Sequence, residues 1–291
     1  MARIDELLRS GVSLSIELWP PKTPEALVHL KESLGRLYEL HPTFASITYG
    51  AAGSTRDRTH DLVVDIRRAG RTEPMAHLAC FGHRRAELVE ILERYVGAGV
   101  ENVLAVRGDP PREATGPLPA GDLRHAFDLV ELVKSVAPFC VAVAAHPEGH
   151  PDAPDLASDR RHLAAKLGVA DFAITQFFFS IADYLRLVED LSALGVTKPV
   201  IAGIMPITNV RSVRRMAELS GAAIPREITD RVDRVADDPD AVRAVGIEIA
   251  TELCAQLLAE GVPGLHFYTM NQVSATVAVC EDLGLVPPTR P

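Results

Sequence analysis

Cysteine is scarce in this chain: Cys80, Cys140, Cys254 and Cys280 are its 4 among 291 residues, far apart and each in an apolar context. That spacing is neither a thiolate metal motif nor a disulfide framework, so free buried thiols in a reducing cytoplasm are expected. Positive charge is also short. Lys and Arg total 30 against 39 Asp and Glu, a formal net charge of -9, and no basic stretch supplies the footprint that nucleic acid requires. No apolar run reaches the roughly 18 residues of a spanning helix. The start, Met1-Ala2-Arg3-Ile4-Asp5-Glu6, lacks the apolar core of a signal peptide. A membrane is therefore not an expected partner. No Gly-x-Gly-x-x-Gly turn follows an early strand pattern, which disfavours a doubly wound dinucleotide fold.

What is present is an alternation. The chain is 47% hydrophobic and 24% charged, enough for a large core. Eight short apolar runs recur, beginning at Leu14, Phe44, Met75, Asn102, Cys140, Phe172, Pro199 and Gly264. Continuous apolar runs suit parallel strands buried on both faces. Helical patterns lie between them, at 25–40, 58–69, 84–98, 122–137, 159–167, 181–194 and 210–220, with a longer one at 238–260. Gly70, Gly99, Gly168, Gly195 and Gly261 stand where helices should stop. Eight such units predict an α/β fold of the (β/α)8 TIM-barrel class. One catalytic domain over 1–291 is expected, with a Pro/Gly-rich loop at 109–121 and an extra helical segment at 225–236.

In such a barrel the strand carboxyl ends share one face, and function gathers there. The polar residues at those ends are Glu17, Thr48, Tyr49, His77, Arg107, Asp109, His146, His150, Gln176, Asn209, Tyr268, Asn271 and Gln272. Glu17 interrupts an apolar strand before Trp19-Pro20-Pro21. Desolvation there raises a carboxyl pKa and suits a general acid; the alternative is an ion pair with Arg107 or another barrel cation. Arg107-Gly108-Asp109 combines a donor fork, a permissive backbone and an acceptor for a heterocycle's N–H groups, or forms an internal ion pair. His77 reads either as a site residue or as a satisfied core histidine. No metal is expected, because His77, His146 and His150 are too scattered to define a ligand set. Gln176 offers both a donor and an acceptor to an amide or pterin edge. Thr208 or Asn209 fits a helix N-cap.

The ordered motifs resemble the methylenetetrahydrofolate reductases. They are Glu17-Leu18-Trp19-Pro20-Pro21, Thr48-Tyr49-Gly50-Ala51, Arg56-Asp57-Arg58-Thr59, Pro74-Met75-Ala76-His77-Leu78, Arg107-Gly108-Asp109-Pro110-Pro111, Ala144-Ala145-His146-Pro147-Glu148, Ile174-Thr175-Gln176-Phe177-Phe178-Phe179, Gly203-Ile204-Met205-Pro206 and His266-Phe267-Tyr268-Thr269-Met270-Asn271. The resemblance implies the bacterial catalytic-barrel form and an oxidoreductase that passes a hydride from NADH, or alternatively NADPH, to 5,10-methylenetetrahydrofolate. It implies Glu17 as general acid and Asp109 as the carboxylate near the pterin. It implies folate contacts from Glu17, Asp109, Gln176, Tyr268 and Gln272. Cofactor contacts are implied for Thr48, Tyr49, His77, Arg107, Gly108, Asp109, Ala120, His146, Lys166 and Gln176.

FAD is the family's usual relay, and here the sequence departs from the pattern. His146 stands where flavin-binding members usually have tyrosine, His162 and Ala165 where they have asparagine and arginine, and Pro119 where an aromatic precedes Ala120. Lys166 is retained. These changes remove ring packing and phosphate or ribose contacts, so the chain resembles the flavin-independent actinobacterial variants. Gln272 replaces a frequent arginine at the folate's glutamate tail and Met216 a frequent aromatic; Arg211, Arg214 and Arg215 are candidates for the missing charge. Three further readings are an FAD-dependent reductase, an enzyme acting on another one-carbon or pterin substrate, and a non-catalytic folate-binding barrel. The sequence implies no particular oligomeric state.

Overall fold

The computed structural model describes residues 2–50, 55–108 and 121–285. The strands are β1 (Ser13–Leu18), β2 (Phe44–Ile47), β3 (Glu73–Ala79), β4 (Asn102–Val106), β5 (Cys140–Ala145), β6 (Phe172–Thr175), β7 (Val200–Ile204) and β8 (Gly264–Tyr268). They pair in parallel and in sequence order, and β8 closes on β1, with Glu17 opposite Tyr268 on one side and Ser46 on the other. This is the expected (β/α)8 barrel. Strands β2 to β8 stop one to three residues short of their apolar runs, which extend to Tyr49, Phe81, Gly108, His146, Phe178, Met205 and Met270, whereas β1 reaches the end of its run at Leu18. Some of the residues past the strand ends, such as Cys80, Phe177, Phe178 and Met205, stay buried outside the ladder, while Thr48, Tyr49, Arg107 and Gln176 are part-exposed at the barrel mouth.

The helices are α1 (Ile4–Leu7), α2 (Pro24–Glu39), α3 (Arg56–Ala69), α4 (Arg85–Gly97), α5 (Ala126–Val136), α6 (Leu156–Val169), α7 (Ile181–Ala193), α8 (Val210–Ser220), α9 (Arg226–Asp233), α10 (Pro239–Ala259) and α11 (Val273–Asp282). Local chemistry sets several starts. Thr23 accepts from the Ala26 N–H ahead of Pro24, Asp155 from Ser158, and Asp238 from Asp240 and Ala241 ahead of Pro239, each an N-cap that occupies orphan donors. Asn209, not Thr208, caps α8. Helix α5 begins later than the expected Asp122, because Asp128 accepts from the Arg124 and His125 N–H groups and holds that segment outside the helix. Gly70, Gly99, Gly195 and Gly261 adopt positive φ at helix ends, whereas Gly168 lies inside α6, contrary to expectation. Helix α9 occupies the segment expected to be helical at 225–236.

Two elements were not anticipated. Helix α11 packs Val273, Val277 and Cys280 into the main core; its small residues leave little helical periodicity to read. Helix α1 closes the barrel floor. Ile4 is fully buried in one cluster with Phe44, Met75, Leu104, Cys140 and Phe172, and its N–H donates to Asn102 Oδ1 at 2.9 Å. All four cysteines are free and buried, and burial pushes the Cys80 thiol up to about 11. No helix among the described residues is long and apolar enough to cross a membrane.

Candidate active site

Glu17 lies near the carboxyl end of β1 with its side chain 12% exposed. Burial pushes its carboxyl up to about 7, opposed only by the indole N–H of Trp19, which donates to Glu17 Oε1 at 3.2 Å. No cation among the described residues holds it down. The imidazole nitrogen His77 Nε2 stands 3.8 Å from Oε2, beyond hydrogen-bond range. Burial drives His77 down to about 3, and its Nε2 has no hydrogen-bond partner. Near neutral pH the imidazole is therefore uncharged, and the contact is not an ion pair. Arg107, the other candidate partner for Glu17, pairs instead with Asp152 at 2.9 Å.

The backbone around Glu17 is tied to the last strand. Thr269 Oγ1 donates to the Glu17 carbonyl at 2.7 Å. Asn271 grips Trp19 from both sides, accepting its N–H and donating to its carbonyl, each at 2.9 Å. To do so Asn271 adopts φ +62 beside Met270 at +48, a left-handed pair that asparagine tolerates better than most residues. Trp19 remains 39% exposed at the mouth. Tyr268 reaches over β7 and donates from its hydroxyl to the Thr175 carbonyl at the end of β6 at 2.6 Å. Gly203 on β7 makes room for it, since a Cβ there would lie 2.2 Å from Thr175 O and 2.7 Å from Tyr268 Cε2. Gln176 follows, with its side-chain oxygen accepting from the Phe177 N–H at 3.0 Å. Beneath this layer His266 is held by Ser15 and Ser46 at 2.9 and 3.3 Å and stacks on Phe44. It is a satisfied core histidine.

A second polar group occupies the β4–β5 rim. Gly108 adopts φ +80 and presses against β3, where a Cβ would meet Ala79 at 2.8 Å. The His146 and His150 rings meet edge to face at 4.7 Å; burial foremost, then His150 and the cations Lys166 and Arg160, drive His146 down to about 3. Lys166 turns inward to the Ala144 carbonyl at 3.2 Å. Arg160, only 2% exposed, donates to the carbonyls of His146 and Pro147 and to Asp159 and Asp190. The sequence did not single out Arg160, because an arginine in a charged helical stretch reads as solvated. His162 and Ala165 are exposed.

The other expected positions divide. Thr48 and Tyr49 follow β2 and are part-exposed. The Tyr49 hydroxyl lies 3.0 Å from His83 Nε2, a partner the sequence did not suggest. Gln272 is exposed at the start of α11. Asp109 and Ala120, with most of the expected 109–121 loop, lie outside the described residues. Glu17, His77 and Tyr268 thus form one centre, and Arg107, His146 and Lys166 belong to the β4–β5 rim. A shallow cleft between the β7 and β8 ends includes Met205, Asn209, Met216, Tyr268, Thr269 and Gln272. Among the described residues no three His, Cys, Asp or Glu side chains gather as a metal would need.

The family model for methylenetetrahydrofolate reductase matches residues 3–284 of the chain. The chain is 36% identical over 281 residues to the 5,10-methylenetetrahydrofolate reductase of Escherichia coli strain K12, covering 96% of this chain and 93% of that one. It is also 36% identical to methylenetetrahydrofolate reductase (NADH) 1 of Arabidopsis thaliana, where 96% of this chain matches 49% of the longer plant protein. Among solved structures, an uncharacterised Clostridium thermocellum protein that binds two copies of 5-methyl-5,6,7,8-tetrahydrofolic acid shares the fold at TM-score 0.64 and 12% identity, covering 98% of this chain and 100% of that one. With its barrel, its buried carboxyl at the mouth and this match over nearly its whole length, the chain belongs to the methylenetetrahydrofolate reductase family of oxidoreductases.

Proposed function

We propose that the chain reduces 5,10-methylenetetrahydrofolate to 5-methyltetrahydrofolate with a reduced nicotinamide dinucleotide, NADH first and NADPH as the alternative, and with no flavin between them. The observation that carries this reading is the buried Glu17 carboxyl at the barrel mouth, which burial pushes up to about 7 with no cation among the described residues to oppose it. An amine leaves poorly unless protonated. Glu17 gives its proton to the departing nitrogen of the five-membered ring, the C–N bond breaks with its electron pair on that nitrogen, and an iminium remains. The nicotinamide hydride adds to the methylene carbon, NAD+ forms, and water reprotonates Glu17. One folate, one NADH and one proton thus yield methylfolate and NAD+. The barrel's task in the hydride step is distance and alignment.

In this reading Asp109 assists Glu17, and Gln176, Tyr268 and Gln272 meet the folate along the β7–β8 cleft. Thr48, Tyr49, His77, Arg107, Gly108, Ala120, His146 and Lys166 form the nicotinamide side, to which Asp109 and Gln176 also contribute. The β4–β5 rim does not suit FAD. Its inward cations are committed, Lys166 to Ala144 O and Arg160 to two carbonyls and two carboxylates. His146 packs on His150, and exposed Ala165 brings no guanidinium for a diphosphate. Free cysteines suit a cytoplasmic enzyme, and we read the chain as one catalytic domain. Purified protein should be colourless and oxidise NADH only when 5,10-methylenetetrahydrofolate is added. A flavin absorbance band bleached by NADH alone would overturn the flavin-free reaction.

A further inference from the structure

A protonated Glu17 serves one turnover, and each further turnover needs a new proton on a carboxyl whose side chain is only 12% exposed. The groups around it differ in what they can supply. The Trp19 indole donates to Oε1, but an indole N–H is a donor only. The Tyr268 hydroxyl is committed to the Thr175 carbonyl, and burial holds its proton well above the usual tyrosine range. His266 lies a layer deeper, held by Ser15 and Ser46. Among the described residues His77 is the group left.

Alternation along β3 turns His77 into the barrel. Met75 belongs to the floor cluster, whereas Ala76 and Leu78 pack outward in the main core. The His77 Nε2 is sealed from water and has no hydrogen-bond partner. It stands 3.8 Å from Glu17 Oε2, so a shift of about 1 Å makes a hydrogen bond. A buried ring nitrogen without a partner is rare, and this one faces the carboxyl that the reaction empties. The side chain keeps 11% exposure while Nε2 has none, so the rest of the ring meets the mouth. An imidazole can take a proton on one nitrogen and release another from its opposite edge. Burial keeps the ring neutral while Glu17 holds its proton. Once Glu17 is a carboxylate, its charge favours a proton on the ring.

We propose that His77 relays protons from water at the barrel mouth to Glu17 between turnovers. Nδ1 takes a proton from hydronium, the Nε2 proton passes to Glu17 Oε2, and the ring returns to its starting tautomer by exchange with water. The net step moves one proton from hydronium to the carboxylate and no electrons. His77 thus acts through Glu17 and not on the C–N bond. The inference rests on the general-acid reading of Glu17 above.

Stopped-flow mixing with NADH and 5,10-methylenetetrahydrofolate separates the first turnover from later ones. The enzyme is equilibrated below pH 7, where Glu17 holds its proton. His77→Phe keeps a ring without nitrogens, and His77→Ala leaves space for added imidazole. Steady turnover of either variant should fall about 100-fold. The first turnover spends the stored proton and should fall far less. NADH oxidation then starts with a burst of one equivalent per site, followed by a slow phase that the wild type does not show. Imidazole should speed the slow phase of His77→Ala and leave that of His77→Phe unchanged. First and later turnovers that fall in equal proportion overturn the relay and leave His77 a purely structural part. Steady turnover near wild type in either variant overturns it as well. Wild-type protein that oxidises no NADH with this folate overturns the proposed function itself, and the relay with it.

Discussion

Glu17 is a carboxyl whose proton is retained by burial rather than by a partner, and that predicts parallel pH trends for activity and stability. The acid form dominates below about 7, so turnover with folate should fall as pH rises through that value. Stability follows from the same shift. An unfolded Glu17 loses its proton near 4.5 while the folded one keeps it to about 7. Between these values the folded state binds the extra proton, so the contribution is fully present below 4.5 and is lost as pH rises through 7. The deficit above 7 is about 3 kcal/mol. Glu17→Gln removes the titration. Its melting temperature should gain on the wild type between pH 5 and pH 8, while kcat for the folate step drops about 100-fold to 1000-fold. Near-normal turnover in the variant would reject the acid role. His77 was open in the sequence between a site residue and a satisfied core histidine; it is buried yet its Nε2 is unpartnered, which only the packing around it could reveal.

At the scale of elements, the active face is assembled by clamps between strand ends. Asn271 after β8 holds Trp19 after β1 by two hydrogen bonds. Asn271→Gly keeps the left-handed backbone accessible and deletes the clamp. It should cost only about 1 kcal/mol in urea unfolding, yet shift Trp19 emission to the red and lower turnover severalfold. Emission and turnover matching the wild type would dismiss the clamp. Arg160 does the equivalent work for the β5 loop, and here the sequence was blind. Its pattern marks α6 as a helix but does not show that one arginine turns inward to two carbonyls. Arg160→Ala should destabilise the protein by about 3 kcal/mol, because it leaves buried carbonyls and carboxylates unpaired. Arg160→Lys should rescue little, since an ammonium lacks the planar fork that spans these acceptors. A urea midpoint near wild type for the alanine variant would show that water replaces the guanidinium.

For the whole molecule, the barrel separates a stabilising floor from a reactive mouth. Ile4 plugs the floor against Phe44 and Phe172, at the amino ends of β2 and β6. Ile4→Ala should cost about 2 to 4 kcal/mol in thermal or urea unfolding, while kcat and KM, measured well below the melting temperature, stay close to wild type. A large change in KM would show that the floor and the mouth are coupled.

The sequence by itself determined the strand count, the alternation of strands with helices, and the face on which Glu17, His77, Gln176 and Tyr268 would meet. Those features follow from hydrophobic period, from Gly and Asx punctuation, and from the common direction of parallel strands. The roles of α1 and α11 required the tertiary structure, because a four-residue plug and a helix of small residues carry too little periodicity to stand out. Only the tertiary structure decided which polar groups are partners. Arg107 pairs with Asp152, Tyr49 reaches His83, Asn271 grips Trp19, and Glu17 has no cation beside it among the described residues. Each of these contacts joins residues tens to hundreds of positions apart, at distances set by strand register and packing rather than by any local pattern.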